Sequence, residues 1–382
     1  MNSLEAKLSR FLVDDVITQL QNLMPAQLWQ QLQQTCTTIS SLSGLSNTNL
    51  QLHCIDGDKV LRINTQSSTW CNRQLETACW QQAYLQDLAP KLLWYSLNGE
   101  YYLSEYVNQA QSWQGMINDQ SLIAESNNQQ QKTKRLQANQ QQAKQQNRPT
   151  LSSEQFIPLL TDLLVSLHKL PVPDVQMSVT QQYNDYLEQL ERYSAVIVDR
   201  EIAVPQLPVS QWVEVKTVNS NPIKLGCHQP SKETSWQACF NGIVNLHSSI
   251  IQWLSELDKP QFNLTFCHRD LSPDNILLTT NQCKQPKLQC IDFEYAVASH
   301  PLFDVASVVA SHHFTRQQAE QLLASYVSQM SLTSIGDKQL DSALNMYWVF
   351  AAMWALLMWV NEPNKAQHYI DYFQHAIAQL TD

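Results

Sequence analysis

The chain has 382 residues, enough for about two or three domain-sized units and for a buried core without disulfide or metal support. Its 34 acidic residues outnumber 24 basic ones, for a net charge of -10, which argues against a nucleic-acid partner bound through counterion release. Charged residues make up only 15% of the chain and glutamine is abundant, which favours a helix-rich soluble protein.

Three features bear on location. The longest apolar run, around 346–360, is about 15 residues, shorter than the roughly 18 of a membrane span. The N-terminal segment contains acidic residues and no apolar signal-peptide core. The nine cysteines are scattered and include no C-x-x-C pair, which favours reduced thiols over zinc sites or disulfides. We therefore predict a cytoplasmic protein without a membrane span.

The first hundred residues predict a helical start followed by an antiparallel sheet. Leucines at four-residue spacing indicate helices over 4–35, and a further helix is predicted at 72–85. Asp56-Gly57-Asp58 and Asn98-Gly99 are typical of hairpin turns. The strands are predicted at 38–43, 50–55, 59–63, 91–95 and 101–107. Helices beside an antiparallel sheet indicate the α+β class.

The composition then changes abruptly. Between 127 and 147, 13 of 21 residues are Gln or Asn and no apolar face is present, so we predict a flexible insertion at about 119–150. Helical periodicity returns from Phe156 to the prolines at 171 and 173. Further helices are predicted at 181–199, at 236–258 and in the tail from 316, with a short β region before the tail.

The strongest signal is a His-x-Asp-x-x-x-x-Asn motif followed by two apolar strands. Asp270 and Asn275 belong to the motif, and Asp292 follows the second strand. Phosphoryl transfer needs one carboxylate beside the attacking hydroxyl, and a second carboxylate with an amide oxygen to hold Mg²⁺ on the ATP phosphates. A turn between Asp270 and Asn275 would direct both into one cleft. The alternative is that these three residues only cap turns.

This motif resembles the choline kinase and aminoglycoside phosphotransferase superfamily, and the resemblance covers most of the chain outside the insertion. Residues 292–296, Asp-Phe-Glu-Tyr-Ala, are similar to the DFEYA of choline kinases. The resemblance implies a bilobal protein-kinase-like α+β fold with a small antiparallel-sheet N-lobe and a mainly helical C-lobe. The implied lobes are 1–107, which binds nucleotide, and 108–382, which carries the catalytic and substrate residues and the insertion.

The resemblance also implies roles for single residues, with ATP and Mg²⁺ as cofactors. Asp270 accepts the substrate hydroxyl proton or orients that hydroxyl, while Asn275 and Asp292 bind Mg²⁺. Arg62 holds the α- and β-phosphates and Glu76 holds Arg62, although an ordinary surface ion pair is the alternative.

Other residues are implied by the same resemblance. His268 is expected to hydrogen-bond the loop backbone rather than act as a base, and Asp304 is expected to brace the catalytic loop. Backbone groups of 105–107 are expected to meet adenine. Besides Arg62 and Glu76, the predicted nucleotide-binding residues are therefore Gly44, Ser46, Asn47, Glu105 and Val107. Only one glycine is present where relatives use two, which makes nucleotide affinity the property most in question.

The acceptor is predicted to be a small cationic alcohol such as choline or thiamine. Cation–π contact favours Trp and Tyr around a quaternary nitrogen, and Tyr295, Trp354 and Tyr372 match the aromatic positions of choline kinases. Core packing is the alternative for each of them. Ala351 stands where choline kinases usually carry a second Trp, which alters the expected head-group pocket and leaves another cationic alcohol or a neutral alcohol as alternatives. Glu294 is predicted either to face a cation or to form a buried ion pair.

Three other functions remain open. An aminoglycoside-type antibiotic phosphotransferase belongs to the same superfamily, but its pocket needs acidic residues rather than aromatic ones. A protein kinase is disfavoured because the second motif reads Asp-Phe-Glu and the segment from Asp292 to Asp304 is too short to dock a peptide. A non-catalytic pseudokinase is disfavoured because all three catalytic-site residues are present.

Overall fold

A computed structural model describes residues 3–42, 47–64, 71–109, 112–117, 153–200, 235–259, 263–280, 283–332 and 335–381. The predicted insertion at 119–150 lies outside these ranges. The chain forms two compact units. The first comprises Met1–Pro173 and His268–Val297, and the second comprises Asp174–Cys267 and Ala298–Asp382.

Helices and strands occupy most of the described residues. The helices are α1 Leu4–Leu8, α2 Asp14–Leu23, α3 Ala26–Thr35, α4 Arg73–Leu85, α5 Ser153–His168, α6 Val179–Arg200, α7 Trp236–Asn245, α8 His247–Leu257, α9 Leu302–Ser311, α10 Arg316–Met330, α11 Asp337–Asn361 and α12 Ala366–Ala378. The strands are β1 Cys36–Leu42, β2 Thr48–Cys54, β3 Lys59–Ile63, β4 Leu92–Tyr95, β5 Tyr101–Glu105, β6 Thr265–Cys267, β7 Ile276–Thr280, β8 Pro286–Cys290 and β9 Val297–Ser299. Residues 113–117 are also helical. This mixture confirms the predicted α+β class.

The sheet of the first unit has five antiparallel strands in the order β1-β2-β3-β5-β4. Hairpin turns connect β2 to β3 and β4 to β5, where Gly57 has a φ of 108° and Gly99 a φ of 70°. Glycine adopts these conformations without the steric cost of a side chain. The two predicted turns are confirmed, and the five predicted strands agree with β1–β5 to within two residues at each end.

Alternation along β3 separates a core face from a polar face. Leu61 is buried in the core that α1, α2 and α3 form against the sheet. The neighbouring Arg62 points to the opposite face, because successive side chains on a strand alternate. It pairs in register with Asn49 of β2 and Tyr102 of β5. The sheet thus carries a buried arginine on the face away from α1–α3.

The second unit is built around α11. This helix packs against α6, α7, α8, α9 and α12. It is the one helix among the described residues with the length and apolar composition of a membrane span, and 61% of the most apolar stretch is buried. Burial by five neighbouring helices is typical of a core helix in a soluble protein. The absence of a membrane span remains a prediction.

Two sequence predictions need correction or comment. The helix predicted over 236–258 is two helices, because the chain turns at Leu246, which lies between α7 and α8. The predicted lobes, 1–107 and 108–382, group the chain differently from the two compact units, because 268–297 pack with the N-terminal segment. The lobe boundary remains a prediction, since a lobe is defined by its role around the nucleotide.

Candidate active site

The predicted motif residues Asp270 and Asn275 are in direct contact. The Asn275 amide Nδ2 donates hydrogen bonds to Asp270 Oδ2 at 2.8 Å and to the Asp270 backbone oxygen at 3.1 Å. A 3-10 turn at Pro273–Asn275 brings the two together, and Asn275 N donates to Ser272 O at 3.0 Å. The four intervening residues therefore fold so that the amide orients the carboxylate.

Asp292 joins them through the hairpin of β7 and β8. Ile276, the first residue of β7, pairs with Cys290, the last residue of β8. Ile291 N then donates to Asn275 O at 3.0 Å. Asn275 and Asp292 consequently lie at the same end of this hairpin, although 16 residues separate them in the sequence.

Two backbone conformations at this end are unusual. Arg269 has a φ of 70° and Asp292 a φ of 68°, both in the left-handed region that residues other than glycine rarely adopt. Such residues cost of order 1–3 kcal/mol each and cluster at active sites, where surrounding contacts hold them. Arg269 directly precedes Asp270, and Asp292 is itself a predicted metal ligand.

His268 contacts the backbone on both sides of the site. Asp270 N donates to His268 Nδ1 at 3.3 Å, and His268 Nε2 lies 3.0 Å from Ile291 O. Because Nδ1 accepts, Nε2 carries the proton and donates to Ile291. Phe293 packs on the His268 ring at 4.8 Å between centroids. His268 thus links the catalytic loop to the segment that carries Asp292.

Arg62 reaches Asp292 from the sheet. Its Nη1 lies 2.7 Å from Asp292 Oδ1 and 3.3 Å from Glu76 Oε1. The side chains of Arg62 and Glu76 are 8% and 0% exposed, so this is a buried cluster and the surface-pair interpretation is wrong. Burial alone lowers the pKa of Arg62, but Asp292, Glu76 and Glu294 outweigh it and raise that pKa.

Three residues outside the predicted site complete the cluster. Glu294 Oε2 lies 3.1 Å from Arg62 Nη2 and 3.3 Å from Arg73 Nη1. Arg73 Nη1 also lies 2.8 Å from Glu76 Oε2, which accepts a 2.9 Å hydrogen bond from the Tyr102 hydroxyl. Of the two possibilities for Glu294, the structure has the ion pair. The spacing of Arg73 and Glu76, three residues apart on α4, was the signal available in the sequence.

Burial and neighbouring charges shift the pKa values of both Glu294 and Arg73. Burial raises the pKa of Glu294, the Asp292 carboxylate raises it further, and Arg62 and Arg73 lower it. The pKa of Arg73 is raised because Glu76 outweighs the lowering effect of burial.

The residues at the hairpin end fit a hard cation. Among the described residues, Arg62 is the one side chain that contacts the Asp292 carboxylate, through Oδ1. No described residue hydrogen-bonds to Asn275 Oδ1, since the Asn275 contacts to Asp270 use the amide nitrogen. One carboxylate oxygen and one amide oxygen are therefore available, and Mg²⁺ prefers oxygen ligands.

The predicted nucleotide residues are only partly described. Gly44 and Ser46 lie outside the described residues, and Asn47 is half-buried just before β2. Glu105 is exposed at the end of β5 and Val107 is half-buried two residues later. Tyr106 N donates to Asp58 O at 3.0 Å, whereas no described residue accepts a hydrogen bond from Val107 N.

The predicted acceptor residues divide between the units. Trp354 of α11 meets the rings of Tyr369 and Tyr372 of α12 edge-on, at 5.8 and 5.6 Å between centroids. Trp354 and Tyr372 are half-buried, while burial and Glu362 raise the pKa of the buried Tyr369 to about 12. In the first unit Tyr295 is half-buried in a 3-10 turn. The predicted bracing residue Asp304 is fully buried in α9 of the second unit.

Known proteins share both sequence and fold with this chain. Protein LicA of Haemophilus influenzae is 35% identical over 81 residues, which make up 21% of this chain and 28% of that protein. The matched stretch thus spans little more than a quarter of the curated relative.

Two solved structures are similar over nearly the whole chain. A choline/ethanolamine kinase family protein from Mesorhizobium loti is 15% identical with a TM-score of 0.57, covering 96% of this chain and 92% of that one. Choline kinase LicA from Streptococcus pneumoniae is 13% identical with a TM-score of 0.57, covering 95% and 98%. These similarities confirm the predicted protein-kinase-like fold.

The sequence pattern of the Phosphotransferase enzyme family matches residues 35–330, about three quarters of the chain. That range contains both the Arg62–Glu76 pair and the segment with Asp270, Asn275 and Asp292. The predicted superfamily and the predicted class of enzyme, a kinase, are thereby confirmed. This chain belongs to the Phosphotransferase enzyme family.

Proposed function

We propose that the protein transfers the γ-phosphoryl group of ATP, with Mg²⁺, to a hydroxyl of a small cationic alcohol such as choline or thiamine. One observation carries the proposal, a continuous chain of contacts through the site. Asp270 Oδ2 is 2.8 Å from Asn275 Nδ2, and Asp292 Oδ1 is 2.7 Å from Arg62 Nη1. The Ile291–Asn275 backbone hydrogen bond joins the two halves.

Asp270 is the proposed catalytic carboxylate. It orients the acceptor hydroxyl and accepts its proton as the oxygen attacks phosphorus. Asn275 donates to Asp270 Oδ2, which fixes the orientation of the carboxylate. Phosphoryl transfer depends mainly on positioning and electrostatics, so this rigidity supports the assignment.

Asn275 and Asp292 are the proposed Mg²⁺ ligands, through the amide oxygen and a carboxylate oxygen. When bound, the ion would neutralise charge on the phosphates during transfer. Arg62 is the proposed phosphate contact, since a guanidinium matches phosphate geometry, and Glu76 keeps it in place. Val107 N, which has no described partner, is the proposed donor to adenine.

The acceptor is proposed from two observations. Trp354 and Tyr372 are half-buried and in ring contact, so they present aromatic surface of the kind that attracts a quaternary nitrogen. Glu294 is paired with Arg62 and Arg73, so this carboxylate is committed within the protein rather than to a substrate amine. An aromatic rather than acidic site favours a single cationic head group over a polyamine such as an aminoglycoside.

The wider setting is also proposed. The two lobes are 1–107 and 108–382, and the partner is a small-molecule alcohol rather than nucleic acid. A cytoplasmic location is supported by the eight described cysteines, none of which forms a disulfide with another described residue.

The test is ATP consumption with choline, ethanolamine, thiamine, aminoglycosides and sugars as acceptors. We expect turnover with a cationic alcohol, and loss of that turnover by a factor of at least about 10³ in Asp270→Asn while nucleotide still binds. Asp274→Asn is the matched control, because Asp274 is exposed in the same turn and its carboxylate forms no hydrogen bond or ion pair with a described site residue. Turnover with aminoglycosides alone would contradict the proposed acceptor class and indicate an antibiotic phosphotransferase. Binding without turnover on any acceptor would identify a pseudokinase.

A further inference from the structure

Arg73 and Glu294 add a second arginine and a third carboxylate to the cluster that Arg62 forms with Glu76 and Asp292. Arg73 Nη1 bridges two carboxylates, at 2.8 Å from Glu76 Oε2 and 3.3 Å from Glu294 Oε2. Glu294 in turn bridges the two arginines, at 3.1 Å from Arg62 Nη2. Arg73 has no predicted role, and the Asp-Phe-Glu-Tyr-Ala motif that contains Glu294 does not predict which residue Glu294 pairs with.

Charge balance explains why a second arginine is needed. Glu76, Asp292 and Glu294 supply three carboxylates, and Arg62 alone would leave two of their charges uncompensated. The side chains of Glu76 and Glu294 are 0% and 9% exposed, so solvent does little to offset them. A buried charge without a partner is strongly unfavourable, which makes Arg73 a necessary part of this cluster.

In the proposed mechanism Arg62 contacts phosphate, whereas in the structure its guanidinium is paired with carboxylates. Its closest partner is Asp292, which is also a proposed Mg²⁺ ligand. Apart from Asp292, Arg62 is paired with Glu76 and Glu294. Arg73 contacts both of these carboxylates and so keeps them in place while Arg62 turns toward phosphate.

We infer that Arg73 and Glu294 are positioning residues that hold Arg62 for nucleotide binding. The bridge joins the first turn of α4 to the turn at Phe293–Tyr295, two segments more than 200 residues apart in the sequence. The inference deepens the proposed function and depends on it. Neither residue is assigned contact with the substrate or the reacting atoms.

The stem of Arg73 is fixed by an independent contact. A Cβ added at Gly99 would lie 2.4 Å from Arg73 Cβ and 2.7 Å from Cγ, so the turn between β4 and β5 packs directly on this side chain. The Gly99 carbonyl accepts a 2.6 Å hydrogen bond from Asn64 Nδ2, which holds the turn against β3. A guanidinium carried on such a stem is pre-organised for its two carboxylates.

The burial of Arg73 separates this pair from an ordinary helix-surface pair. An exposed i,i+3 ion pair stabilises a helix only slightly and is screened by salt. Arg73 is 15% exposed and Glu76 0%, and Arg73 has a further partner 221 residues away. Its loss therefore disturbs the site rather than the helix alone.

The experiment compares Arg73→Met, Arg73→Lys and Glu294→Gln with wild type in the full chain. Titration calorimetry with ADP and Mg²⁺ measures nucleotide affinity, and steady-state kinetics separate KM for ATP from KM for the acceptor. We expect nucleotide affinity to fall about tenfold or more in Arg73→Met and in Glu294→Gln, with KM for the acceptor nearly unchanged. Arg73→Lys should recover part of the loss because it restores the positive charge.

Two controls keep the outcome interpretable. Lys287→Met removes a cation paired with Asp87 elsewhere in the first unit, and it should leave nucleotide affinity unchanged. The double variant Arg73→Met/Glu294→Gln should bind nucleotide no more weakly than whichever single variant binds it less tightly. The effects of residues that act as one unit are not additive. If Arg73→Met fails to fold, Arg73→Lys and Glu294→Gln decide the question.

The possible results are distinct. Wild-type nucleotide affinity in folded Arg73→Lys and Glu294→Gln would overturn the inference and leave the proposed function standing. Equal losses in the Lys287 control would also overturn it, because the effect would then be general. A wild-type protein that binds no nucleotide would overturn both the inference and the proposed function.

Discussion

Arg62 and Asp292 are 230 positions apart in the sequence, yet Arg62 Nη1 and Asp292 Oδ1 are 2.7 Å apart in the structure. One residue lies on the central strand of the sheet and the other follows the β7–β8 hairpin. Their ion pair unites the proposed phosphate contact with a proposed metal ligand. Several measurable consequences arise from this arrangement and from the packing around it.

Asp292→Asn should raise the Mg²⁺ concentration needed for half-maximal activity by about tenfold or more. The substitution removes the anionic ligand and also the closest partner of Arg62. The measurement is activity against Mg²⁺ concentration, with Mg²⁺-dependent nucleotide binding as a second readout. Asp87→Asn, which removes a carboxylate that is 67% exposed in the same unit, serves as the control. An unchanged Mg²⁺ requirement in Asp292→Asn would contradict the ligand assignment.

Trp354→Ala should raise KM for the cationic alcohol and leave KM for ATP unchanged. A cation–π contact contributes about 0.5–2 kcal/mol, which corresponds to roughly 2- to 30-fold in KM. Trp354→Phe keeps an aromatic face and should raise KM for the cationic alcohol much less. A neutral alcohol of similar size should show no dependence on the substitution. Equal effects on neutral and cationic acceptors would indicate that Trp354 only packs against Tyr369 and Tyr372.

Gly99→Ala should destabilise the protein by about 2 kcal/mol or more. The residue has a φ of 70°, and its new Cβ would lie 2.4 Å from Arg73 Cβ. Gly99→Asn separates the two causes, because Asn tolerates a left-handed backbone but meets the same obstacle. Gly242→Ala on α7, where a Cβ meets nothing within 4 Å, should be neutral or slightly stabilising. Urea unfolding measures each change, and a tolerated Gly99→Asn would argue against the contact with Arg73.

The free energy of unfolding should fall as the pH is lowered from 7 to 5, in part through His312. Burial lowers the pKa of His312 to about 3, with the nearby His313 acting in the same direction and the contact with the Val308 carbonyl opposing it in part. Below about pH 6.5 the unfolded chain binds a proton that the folded protein does not accept until near pH 3. The free energy of unfolding therefore falls by up to about 1.4 kcal/mol for each unit by which the pH is lowered.

The measurement is urea unfolding at several pH values between 5 and 7. His312→Asn should show a flatter dependence on pH than the wild type. The exposed His368 provides the control, and His368→Asn should keep the wild-type slope. An identical slope in all three proteins would mean that His312 does not carry this dependence.

The local pattern of the sequence was sufficient for much of the fold. Alternating residues in β1–β5 and the turns at Gly57 and Gly99 depend on neighbouring residues only, and they were predicted to within two positions. The spacing of Asp270 and Asn275 also acts locally, through a single 3-10 turn. By contrast, no glycine or proline lies directly beside the break at Leu246 between α7 and α8 to signal it.

The motif alone predicts the type of chemistry, because His-x-Asp-x-x-x-x-Asn and a later Asp after a strand specify which groups are present and in what order. The pairing of Glu294 within the protein and the inclusion of Arg73 in the site depend on tertiary contacts. Their partners lie 221 to 232 positions away, and no local pattern encodes a contact over that distance. Packing of α4 against the turn after β8 brings these charges together in a nearly solvent-free site, where each carboxylate requires a nearby cation.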